Sequence, residues 1–204
     1  MSTPRTLALR AVWLLAFAPG ALAAQDHRLT ERLDAATAEG VQRVVDSAHA
    51  EGLPTEPLVQ KALEGKTMGA TSGRIQSAVD ALFGRLAEAR AALGRDASET
   101  ELTAGAGALR AGLDAGSLRQ LHALRSDEPL TVPIAVLTDL VAEGVPPDQA
   151  TRAVLDLARN GRSDAEFMAL RKRVQTERRR GASADAGPVV RPAAPPAADP
   201  PGSP

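Results

Sequence analysis

The spacing of apolar residues constrains the fold of this chain more than any other feature of its sequence. From residue 27 to 179, apolar residues recur three or four positions apart, and Gly or Pro regularly interrupts the pattern. The alternation typical of a half-buried strand is absent from this sequence pattern. The spacing predicts an all-α fold with nine helices, near residues 27–38, 41–51, 56–65, 73–93, 99–111, 115–125, 132–143, 147–160 and 164–179.

One helical junction occurs three times along this region. Each copy has a glycine that fits the position just past a helix end, an apolar residue directly after it, and then Pro or Asp. Apolar or small residues also lie four and eight positions before each glycine, and six and eleven positions after it. The copies centre on Gly52, Gly112 and Gly144, which are 60 and then 32 residues apart. Because this spacing is unequal, we predict an irregular stack of helical hairpins, forming a compact bundle, rather than a regular solenoid.

Short polar side chains mark several predicted helix starts. The spacing of Ser98 with Glu101, and of Ser163 with Glu166, fits the capping box, in which each side chain satisfies the other residue's backbone N–H. Single N-caps are predicted at Thr55, Asp114 and Thr131.

The composition limits both the core and the chemistry of the protein. The chain has one Trp, three Phe, no Tyr and no Cys. Disulfide scaffolds, cysteine metal sites and thiol catalysis are therefore excluded. The core must consist of closely packed Ala, Leu and Val helices. We predict that it includes two apolar stripes, Ile75, Val79, Leu82, Phe83 and Leu86 in one helix, and Phe167, Leu170 and Val174 in the last.

Residues 1–24 are typical of a secretory signal peptide. Arg5 and Arg10 precede an apolar run from Ala11 to Ala18, and Ala21-Leu22-Ala23 offers the small residues that a signal peptidase recognises. Cleavage is expected before Ala24 or one residue later. The alternative is an uncleaved anchor, but the apolar stretch is about 14 residues long, whereas a spanning helix needs roughly 20. We predict an exported protein, periplasmic or extracellular, that does not span the membrane after signal cleavage.

The charge of −1 conceals an uneven distribution. Residues 25–170 hold 15 basic and 22 acidic residues, a net charge of −7, whereas residues 171–180 carry +5. The cations of this basic block are a candidate contact surface, formed by Arg171, Lys172, Arg173, Arg178, Arg179 and Arg180. The alternative is that these cations only complement a helix dipole and maintain solubility.

Residues 181–204 form a low-complexity tail rich in Pro, Ala and Gly. Such a composition offers too little apolar surface to offset the entropy of ordering the chain. The sequence therefore predicts one helical domain over residues 25–180, followed by a disordered tail.

The motifs that carry chemistry in other proteins are incomplete here. Gly65-Lys66-Thr67 lacks the earlier glycine and the preceding strand of a phosphate-binding loop. With Gly69 and Gly73, it is interpreted as a mobile polar loop. The three histidines, at 27, 49 and 122, are isolated and lack metal-ligand spacing, which favours partly exposed helix positions. No catalytic, metal or cofactor-binding residue is predicted.

These observations favour binding over catalysis. The hypothesis is an exported helical scaffold that binds a protein or an anionic envelope component. No nucleic-acid partner is predicted, because the body is acidic and the protein is expected to be exported. Two alternatives remain open: a structural protein that self-associates through the basic block, and a hydrolase with a dispersed carboxylate site. Two carboxyls with similarly shifted pKa values in one cleft would support the hydrolase.

Overall fold

The computed structural model describes residues 27–185, with side chains through residue 180. These residues form nine helices and no strand, which confirms the all-α prediction. The helices are α1 (His27–Arg32), α2 (Ala35–Ala50), α3 (Glu56–Thr67), α4 (Ser72–Leu93), α5 (Glu99–Arg110), α6 (Ala115–Leu124), α7 (Thr131–Ala142), α8 (Pro147–Arg159) and α9 (Asp164–Asp185). The predicted signal peptide, residues 1–24, lies outside the described residues, as does the predicted tail from residue 186 onward. Residues 181–185, which were also assigned to the tail, instead continue α9.

The first helix boundary differs from the prediction. The sequence predicts a break near Gly40, but Gly40 lies buried inside α2. The break falls instead at Asp34, whose carboxylate accepts a hydrogen bond from the Thr37 backbone N–H at 3.0 Å and another from the Thr37 hydroxyl at 2.7 Å. This cap satisfies free amides of the first turn of α2. Gly40 is therefore a small residue in a packed helix, not a helix end.

Two of the predicted caps are confirmed. The Ser98 hydroxyl accepts from the Glu101 backbone N–H, and the Glu101 carboxylate accepts from the Ser98 backbone N–H at 2.9 Å, which completes the capping box of α5. Asp114 accepts from the Ser117 backbone N–H at 3.0 Å at the start of α6. Both starts are thus fixed by contacts within three residues.

The other predicted caps are partial or wrong. At α9, Glu166 accepts from the Ser163 backbone N–H at 2.9 Å, which is half of the box. Thr55 occupies the predicted N-cap position of α3 but makes no side-chain cap hydrogen bond. Thr131 is the first helical residue of α7, and Leu130 occupies the cap position. A threonine before an apolar run can be either the N-cap or the first helical residue, so the residue type alone does not determine which position it occupies.

The three predicted junctions share one backbone geometry. Gly52, Gly112 and Gly144 have φ values of +67°, +94° and +85°, a region in which glycine is favoured. At each junction the following residue donates to the carbonyl five positions earlier, at 2.8, 3.2 and 3.0 Å. This bond closes the helix end in a Schellman motif. The residue six positions after each glycine is completely buried: Leu58, Leu118 and Ala150. The predicted packing at +11 fails in the second copy, because Ala123 is exposed.

Two further junctions have the same geometry, and the sequence analysis did not include them among the repeats. Gly69 and Gly161 have φ values of +70° and +59°, with the same hydrogen bond from the next residue. Six positions later lie the buried residues Ile75 and Phe167. Gly69 therefore ends α3, and the interpretation of this region as a mobile loop is wrong. Since 17 residues separate Gly52 from Gly69, and Gly144 from Gly161, the units α2–α4 and α7–α9 repeat each other.

The helices pack in the order of the chain. Each substantial helix–helix contact joins helices that are one or two apart, such as α2 with α4, α5 with α7, and α7 with α9. The buried side chains form two adjoining clusters, one from Leu29 to Ala106 and the other from Ala92 to Phe167. The described chain is thus an irregular stack of hairpins, as predicted.

Most of the predicted core is buried. Ile75, Val79 and Leu86 are at most 3% exposed, and Phe167 is fully buried. Four predicted members are half-buried at the edges of the clusters: Leu82, Phe83, Leu170 and Val174. In α4 the two half-buried residues lie between the buried Val79 and Leu86, and in α9 they follow the buried Phe167.

Candidate functional site

The basic block lies on α9, and the helix divides it into two groups. The side chains of Arg171 and Arg178 contact α7 and the α7–α8 junction. The Nε atom of Arg171 is 3.1 Å from an Asp139 carboxylate oxygen, and the Arg178 guanidinium packs against Gly144. Both contacts fix α9 beside α7 and the α7–α8 junction. These two cations therefore help to attach the helix, although Arg178 is itself exposed.

The other four cations are exposed. Lys172 and Arg179 are seven residues apart, as are Arg173 and Arg180, so each pair lies on one side of the helix. They lie away from Phe167, which is the fully buried residue of α9. Small residues lie between them and line shallow grooves, one of about 300 Å³. We call this surface the outer face of α9; it comprises Ala165, Ala169, Lys172, Arg173, Thr176, Arg179 and Arg180, with one carboxylate, Glu177, at its edge.

A buried arginine fixes the start of α9. Arg125 is only 4% exposed, and its guanidinium carbon lies 5.1 Å from the centroid of the Phe167 ring. It donates to the Arg162 carbonyl oxygen at 2.7 Å and to Asp164 at 3.2 Å, and pairs with Glu128 at 2.6 Å. These contacts link the α6–α7 loop to the first turn of α9. Sequence reasoning missed Arg125, because no local pattern distinguishes it from a surface arginine.

A second charged feature is an acidic cleft of about 420 Å³ between the α4–α5 loop and the α6–α7 loop. We define it by its four carboxylates, Asp96, Glu101, Asp127 and Glu128. His122 is the one basic residue among its lining residues. The sequence pattern does not indicate this cleft, because its two loops are about 30 residues apart in the chain and only packing brings them together.

Glu101 holds the two sides of the cleft together. One carboxylate oxygen accepts from the Leu130 backbone N–H at 2.7 Å, and the other accepts from Ser98. Burial raises the pKa of Glu101, but the hydrogen bonds from Leu130 and Ser98, helped by the nearby His122, outweigh it and leave the pKa below its usual range. The side chain is thus ionised at neutral pH and links α5 to the start of α7.

The remaining shifted carboxyls have structural surroundings. Hydrogen bonds from Thr37 lower the pKa of Asp34, and hydrogen bonds from Ser117 lower that of Asp114. Both residues are N-caps. On α3, the Lys61 ammonium lowers the pKa of Glu64 through a hydrogen bond and its charge. These shifts follow from capping and surface pairing rather than from a catalytic pair.

The histidines remain separate. His27 and His49 are exposed, and His122 is half-buried beside the cleft. Among the side chains described, residues 27–180, no three His, Asp or Glu groups are placed to hold a metal ion. The helices within residues 27–185 include none that is long and apolar enough to cross a bilayer.

The class of protein that these features define is a stack of α-helical hairpins with a basic helix at one end. Comparison with models of protein families, with curated proteins and with solved structures finds no match to the chain.

Proposed function

We propose that this protein is an exported helical scaffold that acts by binding, and that the outer face of α9 is its contact surface. The partner is a protein or envelope component that carries anionic groups. The observation that carries the proposal is the exposure of Lys172, Arg173, Arg179 and Arg180 on a helix whose opposite side is anchored by Phe167. A fixed helix can present these charges in a constant arrangement, which lowers the entropic cost of binding.

The position of the cations supports binding over a role in helix stability. A helix dipole stabilises cations only within the last turn. α9 continues to Asp185, beyond the predicted end at residue 179, and its last turn contains no basic residue. Lys172 and Arg173 lie more than three turns before that end. The dipole explanation therefore accounts for these two cations poorly, and solubility alone does not require them on one helix.

Crosslinking from the outer face tests this proposal. Thr176 lies at the centre of the face, is exposed, and donates its hydroxyl hydrogen to the carbonyl four residues earlier at 2.8 Å. Thr103 on α5 is also exposed and makes the same hydrogen bond at 2.8 Å. A photo-crosslinking amino acid placed at each position in cells expressing the full chain gives a matched pair.

We expect discrete crosslinked products from position 176 and not from position 103. The products from position 176 should decrease when Lys172 and Arg173 are both changed to Glu. Equal labelling from both positions, or labelling that survives the charge reversal, would refute the outer face as the contact surface.

Export is a separate part of the proposal and has its own measurement. The apolar run and the small residues before Ala24 support cleavage of the first 23 or 24 residues. The intact mass of the protein recovered from outside the cytoplasm should correspond to a chain that begins at Ala24 or Gln25. Recovery of the full-length chain in the cytoplasm would contradict export.

A further inference from the structure

The end of the hairpin stack has a different surface from its middle. In the repeated units, α9 occupies the place of α4. The middle helix α4 packs against α5 and α6 as well as its own unit, whereas the packing partners of α9 are α7 and α8. At equivalent positions, 92 residues earlier, α4 has Asp80, Ala81, Ala87 and Glu88 where α9 has Lys172, Arg173, Arg179 and Arg180. This face is therefore basic on α9 and not on α4.

The charge on this end has a complement in the same molecule. The outer face of α9 carries four exposed cations, and the acidic cleft is lined by four carboxylates. Asp96 and Asp127 are exposed at the cleft rim, so they are accessible to a cationic side chain. The body from residue 25 to 170, which includes the cleft, has a net charge of −7, and this charge favours approach of the basic face.

The two surfaces do not meet within one chain. The cleft lies at the start of α7, where Leu130 and Thr131 line it. Farther along α7, Asp139 is level with Arg171 of α9. At 1.5 Å per helical residue, the outer-face cations lie roughly 12 to 24 Å along the axis from Asp164 at the start of α9. A contact between the basic face and the cleft therefore has to join two molecules.

We propose that the outer face of α9 docks on the acidic cleft of a second copy of this chain, so that Lys and Arg side chains pair with the carboxylates at the cleft rim. The proposal rests on the outer face being a contact surface and specifies its partner. Because the two contacting surfaces differ, the contact is heterologous. It depends on exposed charges, so salt should weaken it.

The first test is the mass of the protein in solution. Sedimentation or light scattering of protein purified from cells expressing the full chain should show a mass that rises with concentration at about 0.05 M salt. At about 0.5 M salt, the Debye length falls from roughly 14 Å to roughly 4 Å, and we expect association to weaken roughly tenfold or more. A monomer at every concentration in low salt would overturn the proposal.

Complementary variants give the sharper test. A basic-face variant carries Lys172→Glu and Arg173→Glu, and a cleft variant carries Asp96→Lys and Asp127→Lys. Each variant lacks one half of the contact, so each should be monomeric alone. A mixture restores one intact basic face and one intact cleft, and should form a one-to-one heterodimer. Absence of the heterodimer, or association of either variant alone, would overturn the proposed contact.

A charge-matched control separates the contact from a general effect of net charge. Lys66 and Arg74 are exposed and lie far along the chain from α9, and changing both to Glu alters the net charge by the same amount as the basic-face variant. This control should associate like the unmodified protein. Unchanged thermal unfolding of all three variants shows that each is folded. If the control is also monomeric, the specific contact is refuted.

The two proposals fail in different ways. If the protein is monomeric but position 176 still crosslinks to another envelope component, the outer face binds a different partner and self-association is refuted. If position 176 gives no crosslink and the protein is monomeric, both proposals are refuted. A crosslink between two copies from position 176 supports both.

Discussion

The close approach of α4 and α5 gives a quantitative test of how this aromatic-poor core is packed. Gly105 is buried in α5, and a Cβ atom placed on it would lie 3.0 Å from the Ala89 Cβ and 3.2 Å from a Leu93 methyl carbon. Gly107, two residues later on the same helix, has no atom within 4 Å of the equivalent position. Alanine at both positions therefore compares a packed site with an open one.

The expected effects follow from two opposing terms. Replacing a helical glycine with alanine stabilises a helix by about 0.5–1 kcal/mol, and this term is shared by both variants. Gly105→Ala also forces Ala89 and Leu93 to move, and overpacking of this kind costs about 1–3 kcal/mol. We expect Gly107→Ala to stabilise the protein by about 0.5–1 kcal/mol and Gly105→Ala to destabilise it by up to about 2 kcal/mol.

Denaturant unfolding followed by far-ultraviolet circular dichroism measures both variants under identical conditions. The difference between them isolates the steric cost, about 1–3 kcal/mol, which corresponds to a Tm separation of roughly 3–10 °C for a domain of this size. Equal stabilisation by the two alanines would refute the reasoning, since it would mean that α4 and α5 do not approach this closely.

Three other changes test the local structure. Gly52→Ala places a side chain on a backbone with φ of +67° and should destabilise the protein by about 1–2 kcal/mol. Gly84→Ala, at an exposed position in the middle of α4, should stabilise it by about 0.5–1 kcal/mol. Equal effects of the two substitutions in chemical denaturation would contradict the junction geometry. Glu101→Gln should cost about 1–3 kcal/mol at pH 7. Because the pKa of Glu101 is lowered in the folded protein, the contribution of its carboxylate to stability is complete above the unfolded pKa and is lost as pH falls through the folded pKa. A stability cost of Glu101→Gln that stays the same in acid would contradict this. Phe167→Ala should lower the free energy of unfolding by about 3–5 kcal/mol in the same assay, and it also removes the ring that lies against Arg125. A cost as small as that of truncating an exposed phenylalanine would refute the core position of Phe167.

The parts of the fold that the sequence predicted well depend on contacts within a few residues. The Ser98–Glu101 box and the glycine junctions at Gly52, Gly112 and Gly144 are closed by hydrogen bonds that span three to five positions, so the residue types alone indicate them. The boundary near Gly40 was predicted wrongly because a glycine in a helix is compatible with both a helix end and a close packing contact. Asp34 with Thr37 was the available signal for the true start.

The candidate site was predicted only in part. The six cations of residues 171–180 are evident in the sequence, but their division between the body and the outer face is not. Arg171 attaches to Asp139, and this pairing depends on how α9 lies along α7. The acidic cleft was missed because Glu101 reaches Leu130, 29 positions away in the chain, only after α5 and α7 have packed.

The sequence by itself determined an all-helical chain with glycine-closed hairpins, an acidic body and a basic last helix, because helix period, capping and charge are properties of neighbouring residues. The tertiary structure decided which charges are exposed and which are used for packing. It placed Arg125 in the core beneath the start of α9, turned Lys172, Arg173, Arg179 and Arg180 outward, and formed the acidic cleft from two separate loops. Those outcomes depend on the packing of Ala- and Leu-rich surfaces between helices, where small differences in side-chain volume set the position and rotation of each helix.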